Sequence, residues 1–168
     1  MRGGAKVVVV GAAILAGCQS LSPDPPQAIA ELQPTRGNKA ARTARFFQLE
    51  NKVRVVAKVN GLVPGPEHGF HIHKASDCSS GDGMSAKGHF DPPCKLHGHF
   101  SSFERHVGDL PELNADPRGA SGLQVDLDLI SVALEPASII GRSRIVHANP
   151  DDYRAQPTGN SGTPSPAR

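Results

Sequence analysis

The 168-residue chain has no tryptophan, one tyrosine and six phenylalanines, so large core side chains are scarce. Its charge is nearly balanced, with 18 Lys and Arg against 16 Asp and Glu, and nothing in that balance favours nucleic acid. Outside the first residues no run of ten or more shows helical period, and no internal repeat is visible, which argues against a helical bundle or a solenoid. What the chain has instead is turn chemistry: 18 Gly and 15 Pro in a length that suits one domain with a moderate core. Short strands joined by long loops fit that composition.

The opening MRGGAKVVVVGAAILAGCQS sets Arg2 and Lys6 before an apolar run of 11 residues, Val7 to Gly17. That run is too short to span a bilayer and reads as an export signal over residues 1–17. Its LAGC ending resembles the lipobox of bacterial lipoproteins, which implies cleavage before Cys18 and lipidation of that thiol. The expected location is the periplasm or cell envelope, with a lipid anchor in the membrane. Residues 18–41 are rich in Pro and polar residues apart from the short AIAEL, and read as a flexible tether.

From about residue 42 alternation takes over. In KVRVVAKVN, Val53, Val55, Ala57 and Val59 share one face, while Lys52, Arg54 and Lys58 share the other. Leu123, Val125, Leu127 and Ile130 approximate another such face, and SIIGRSRIVHA a third. Turn signals at Asn60-Gly61, Pro64-Gly65 and Pro117-Arg118-Gly119 separate the runs. The expected fold is all-β, an antiparallel sandwich or barrel.

Histidine is the abundant chemical group, with eight in the chain. In GFHIHKASDC, His71 and His73 stand two apart, so on a strand both project to one face, as half of a metal site or as a hydrogen-bonded structural pair. The segment GHFDPPCKLHGHFSSFERHVGDL then carries His89, His97, His106 and Asp109 through a loop too poor in apolar residues to order itself. Three imidazoles and a carboxylate make a closed tetrahedral zinc set, and His71, His73 and His147 suit copper. Spacing alone does not say which histidine serves which ion.

GFHIHKASDCSSGDGMSAKGHFDP, the HG at His97, RHVGDL and SIIGRSRIVHANPDD together resemble the bacterial copper/zinc superoxide dismutases. The intervals 89 to 97, 97 to 106 and 106 to 109 fit the zinc loop of that family. The resemblance implies a Greek-key β-sandwich or flattened barrel of about 7–8 antiparallel strands, with long metal-binding loops, over residues 42–163. It implies copper on His71, His73, His89 and His147, and zinc on His89, His97, His106 and Asp109, with His89 shared. Asp151 is implied to link the copper histidine His71 to the zinc histidine His97, Thr158 to line the substrate channel, and His68 to pack beside the first ligand. His99 has no role in the resemblance and is expected to be a solvated loop residue.

The activity implied is conversion of superoxide to dioxygen and hydrogen peroxide by alternating reduction and oxidation of copper, with zinc structural. Departures gather at the carboxyl end, GNSGTPSPAR, where Pro164 stands in place of the channel arginine and Ala167 in place of a cysteine. Residues 164–168 are expected to be a disordered or truncated tail, with Arg168 or Arg154 left to substitute as the channel cation. The alternative reading is therefore a weakly active or non-catalytic copper and zinc binding or delivery protein. Cys78 aligns with the family cysteine whose partner is gone, so a Cys78 to Cys94 bridge and two reduced thiols are both open. Ser76 and Lys87 stand where the family usually has glycine, which is tolerated unless φ is positive there. A homodimer is a further expectation.

Overall fold

The computed structural model describes residues 24–133 and 135–162. The export segment, Cys18 and Pro164 lie outside the described residues. Among the described residues no helix is long and apolar enough to cross a membrane.

Among the described residues the fold is all-β, with eight strands and one short 3-10 turn at Met84–Ala86. Strands β1 (Gln27–Leu32), β2 (Ala41–Gln48), β3 (Val53–Asn60) and β7 (Ser121–Leu127) form an antiparallel sheet in the order β1-β2-β3-β7. After β3 the chain leaves this sheet to build the pairs β4 (Glu67–His68) with β6 (Leu113–Asn114) and β5 (Phe70–Ile72) with β8 (Arg144–Val146). It returns as β7 beside β3, so β4, β5 and β6 lie in the crossover between neighbouring strands.

The period of two decides which side chains fill the core. Val53, Val55, Ala57 and Val59 of β3 are buried together with Ala44 and Phe46 of β2. Leu123 and Val125 of β7 pack against that cluster and Leu127 lies within it, while Ile130 joins it from beyond the strand. Phe70, Ile72 and Leu113 close the cluster from the other strand pairs. The polar faces meet water, where Arg54 donates two hydrogen bonds to Asp126 across the β3–β7 register, at 2.7 and 2.8 Å.

Two expectations are corrected. Residues 27–32, read as part of a flexible tether, are an edge strand, because Ala28, Ala30 and Leu32 alternate with exposed neighbours and pack on the core. A short apolar stripe with period two is enough when a sheet edge is there to receive it. The histidine-rich loop is also not empty of apolar anchors. Phe90 near its start and Val107 and Leu110 near its end enter the core cluster.

Candidate metal centre

Strand β5 sends Phe70 and Ile72 into the core, so His71 and the following His73 share the opposite face. His73 forms an isolated antiparallel bridge with His89, and His71 forms one with Asp109. The chain can pass so close at Asp109 only because the preceding residue is glycine: a Cβ on Gly108 would collide with the Ile72 carbonyl oxygen. Strand β8 pairs with β5 and delivers His147 one residue beyond its end. Four segments far apart in sequence thus converge on one buried spot.

Two groups of residues there have the geometry to hold a metal ion. In the first, ligand atoms of His71, His73, His89 and His147 all lie within 4.8 Å of one another. His71 donates from Nε2 to Asp151 Oδ2 at 2.8 Å, which leaves Nδ1 buried with no hydrogen-bond partner. His73 donates from Nδ1 to the Lys87 carbonyl at 2.5 Å, and His147 from Nδ1 to the Gly162 carbonyl at 3.0 Å. Their Nε2 atoms then face each other 3.4 Å apart. Each outer hydrogen bond fixes a tautomer and turns the other nitrogen's lone pair inward, as in metal-ligating imidazoles.

In the second group, His89, His97, His106 and Asp109 satisfy the same limit of 4.8 Å. The Nδ1 atoms of His89, His97 and His106 lie 3.0, 3.1 and 3.6 Å from one oxygen, Asp109 Oδ1. The other oxygen, Oδ2, accepts the backbone N–H groups of Gly98 and His106 at 3.2 and 2.9 Å. One carboxylate oxygen has too few lone pairs to serve three imidazoles, whereas a cation among them uses all four groups. His89 belongs to both groups, and its ring stacks on that of His71 with centroids 3.9 Å apart.

Burial governs the protonation of the site. It pushes His73 down to about 4, His89 to about 2 and His147 to about 3, so their rings are neutral at pH 7 and free to act as ligands. His71 adds repulsion in each case, while the Lys87 carbonyl, Asp109 and the Gly162 carbonyl respectively oppose the shift. His97 goes the other way. Burial lowers it too, but hydrogen bonds to Asp109 and Asp151 prevail and raise it to about 9. Burial alone would raise Asp109 and Asp151, yet their histidine partners hold both well below the usual carboxylate range.

Asp151 joins the groups, accepting from His71 on Oδ2 and from His97 Nε2 on Oδ1, the latter at 3.0 Å. Sequence reasoning missed the supports around this link. The side chain of Gln156 accepts from the His97 N–H at 2.9 Å and donates to the His97 carbonyl at 3.0 Å, gripping the backbone as a neighbouring strand would. No local pattern announces that contact, because it spans 59 residues. Gly159, with φ +68°, leaves the space that the link occupies: a Cβ there would collide with Asp151 Oδ1 and lie 2.7 Å from His97 Nε2.

Of the remaining residues singled out from sequence, Thr158 is half-buried, and its methyl group would meet a Cβ on Gly88 at 3.8 Å. His68 is buried and donates from Nδ1 to the His147 carbonyl at 2.8 Å, steadying the strand that carries a ligand. His99 is half-buried rather than solvated, against the rings of Phe100 and Tyr153 at 4.4 and 4.8 Å. Cys78 and Cys94 are both exposed free thiols, so the bridge between them is not formed. Lys87 has φ +65°, the condition under which replacing a glycine costs free energy.

The sequence model of the family "Copper/zinc superoxide dismutase (SODC)" matches residues 41–166. The chain belongs to the copper/zinc superoxide dismutase family. A superoxide dismutase [Cu-Zn] 2 of Aquifex aeolicus is 34% identical over 140 residues, 81% of each chain. The superoxide dismutase [Cu-Zn] of Deinococcus radiodurans is 36% identical over 136 residues, 74% of this chain and 73% of its own. Among solved structures, the clock protein EA4 superposes with a TM-score of 0.74 at 38% identity, covering 82% of this chain and 88% of the other. Copper and zinc, the metals in the family's name, fit the two groups by donor chemistry. A set of imidazoles suits copper, and imidazoles with one carboxylate suit zinc.

Proposed function

We propose that the protein dismutates superoxide, the oxidoreductase activity after which its family is named, with copper held by His71, His73, His89 and His147 and zinc by His89, His97, His106 and Asp109. The observation that carries this reading is His89 standing in both groups of four. When bound, copper supplies the alternating one-electron oxidation and reduction of superoxide, and zinc a fixed neighbouring charge.

The side chains do the rest. Asp151, tied to His71 and His97, keeps both rings aimed at their ions, and the Lys87 and Gly162 carbonyls do so for His73 and His147. Two superoxide anions and two protons give one dioxygen and one hydrogen peroxide. His89 takes one proton at Nε2 and passes it to the reduced dioxygen, while water supplies the other. The proposal assigns Thr158, whose methyl group lies beside Gly88, the role of a polar channel residue.

Metal-loaded protein should remove superoxide far faster than its His147→Ala variant, with copper and zinc contents measured in both. Equal rates would sink the assignment. Pro164, in place of a channel arginine, favours a second reading, in which both metals bind but turnover is slow or absent. Stoichiometric metal with activity no higher than free copper would select it.

The proposal extends to export, with the envelope as the location and a lipid on Cys18 as the anchor, because residues 1–17 have the form of a signal ending in LAGC. Mass analysis of the membrane fraction should find the chain starting at Cys18 with added acyl mass, and Cys18→Ser should release it. It also extends to a homodimer, which would cover the exposed Leu96 and Phe103, 60% and 82% accessible. Sedimentation showing a monomer at micromolar concentration would remove that element.

A further inference from the structure

Four of the histidines hand their outward nitrogen to an acceptor, and His89 is shared between the groups. His71 and His97 donate to Asp151, His73 to the Lys87 carbonyl and His147 to the Gly162 carbonyl. His106 is the exception. Its Nδ1 lies 3.6 Å from Asp109 Oδ1 and is buried with no hydrogen-bond partner, so that nitrogen is the one offered to a metal. The hydrogen then sits on Nε2. Among the described residues the one carboxylate within 4 Å of that atom is Asp91, with Oδ2 at 3.9 Å.

The sequence puts Asp91 in place. It stands two residues after His89 in GHFDPP, the interval that also sets His71 beside His73. Phe90 between them is pinned, its N–H donating to the Ile72 carbonyl and its own carbonyl accepting from the Gly108 N–H, both at 2.8 Å, while its ring enters the core. With Phe90 turned inward, His89 and Asp91 project together to the opposite side. Pro92 favours an extended backbone at Asp91 and so limits its freedom. The Asp91 side chain is only 5% exposed, and its Oδ1 is buried with no partner. A buried carboxylate without counter-charge is unfavourable. The cations of the same loop are spent elsewhere, Arg105 on Asp128 and Lys95 on the Phe103 carbonyl, both at 2.8 Å.

We propose that Asp91 is a positioning residue for the zinc ligand His106, accepting its Nε2 hydrogen as Asp151 accepts those of His71 and His97. This rests on the zinc assignment made above. The separation of 3.9 Å exceeds a hydrogen bond by about 1 Å, and the last torsions of Asp and His are broad, so a small turn of either side chain closes it. A carboxylate acceptor fixes the ring and makes Nδ1 a stronger donor to a cation. The two groups then differ in a consistent way. His73 and His147, which serve copper alone, lean on neutral carbonyls, whereas His97 and His106, which serve zinc alone, lean on carboxylates. Zinc keeps a single charge and gains from the firmer hold, while copper must be held in two oxidation states.

The test uses the full chain, stripped of metal and reloaded with zinc or copper in competition with a chelator of known affinity. Asp91→Ala should weaken zinc about 10- to 100-fold and leave copper within about twofold. Asp91→Asn, which keeps an acceptor of the same shape without the charge, should recover part of that loss. His106→Ala should weaken zinc at least as much, and in that background Asp91→Ala should add less than about twofold, because it acts through the missing ring. In zinc-loaded protein labelled with nitrogen-15, the His106 Nε2 proton should resonate downfield and shift upfield in Asp91→Ala. Zinc affinity of Asp91→Ala within twofold of the parent, equal loss of zinc and copper, or full additivity with His106→Ala would each overturn the proposal and leave the zinc assignment standing. Undiminished zinc affinity in His106→Ala would remove that assignment and this proposal together.

Discussion

The Nε2 atoms of His73 and His147 face each other 3.4 Å apart, with both Nδ1 hydrogens spent on backbone carbonyls. Two lone pairs so placed repel unless a cation lies among them, so the metal-free protein holds unfavourable electrostatics that metal relieves. At a thousandfold excess over the dissociation constant, a ligand that binds only the folded state stabilises it by about 4 kcal/mol. Restoring copper and zinc to chelator-stripped protein should therefore raise the melting temperature by on the order of 10 °C. Calorimetry with no shift on metal addition would show that the residues do not bind as a site.

In the metal-free protein, acid should destabilise the fold well before the carboxylates titrate. His73, His89 and His147 are pushed to about 4, 2 and 3 in the folded state, against 6.5 for an ordinary histidine. Below pH 6.5 the unfolded chain binds protons that the folded chain refuses, so stability falls by about 2 kcal/mol per ring on reaching pH 5. His97 has the opposite sign. Raised to about 9, its contribution is fully present below 6.5 and is lost as pH rises through 9. Urea midpoints of the stripped protein should peak near pH 6.5; a midpoint that climbs toward pH 5 would contradict neutral rings at His73, His89 and His147.

Gly159→Ala should damage both metal groups from outside them. The new Cβ would collide with Asp151 Oδ1 and fall 2.7 Å from His97 Nε2, so the bridge must open. Loss of such support costs about 10- to 100-fold in metal affinity, and a φ of +68° adds about 1 kcal/mol of backbone strain. Competition against a chelator should show zinc and copper both weakened. Affinities within twofold of the parent would place the bridge outside metal retention.

Lys87→Gly should stabilise. Lys87 holds φ +65° and ψ −163°, a region nearly reserved for glycine, and its carbonyl is the acceptor for His73. Relief of about 1–3 kcal/mol of strain exceeds the roughly 0.5–1 kcal/mol that glycine loses in chain entropy. The melting temperature should rise by a few degrees with copper affinity unchanged; a lower melting temperature would mean that the lysine side chain makes up for its backbone.

Strand β3 and the core face of β7 were legible because burial on one side of a strand imposes a period of two that any short window displays. Strand β1 was not: the prolines just before it and its exposed residues resemble a linker, and only pairing with β2 gives Ala28, Ala30 and Leu32 somewhere to go. The expectation for His99 failed, and the state of Cys78 and Cys94 stayed open, for a related reason, since neither ring stacking nor thiol separation is encoded in spacing along the chain.

By itself the sequence determined the inventory: eight histidines, the His71–His73 pair on one strand face, and Asp109 and Asp151 at intervals that resemble one metalloenzyme family. Those are local matters of residue type and period. Only the tertiary structure decided which ring nitrogen faces inward and that Gln156 and Gly159 support His97. The physical reason is that tautomer, contact and counter-charge depend on groups dozens of residues away, whose positions come from packing the whole core and not from any local pattern.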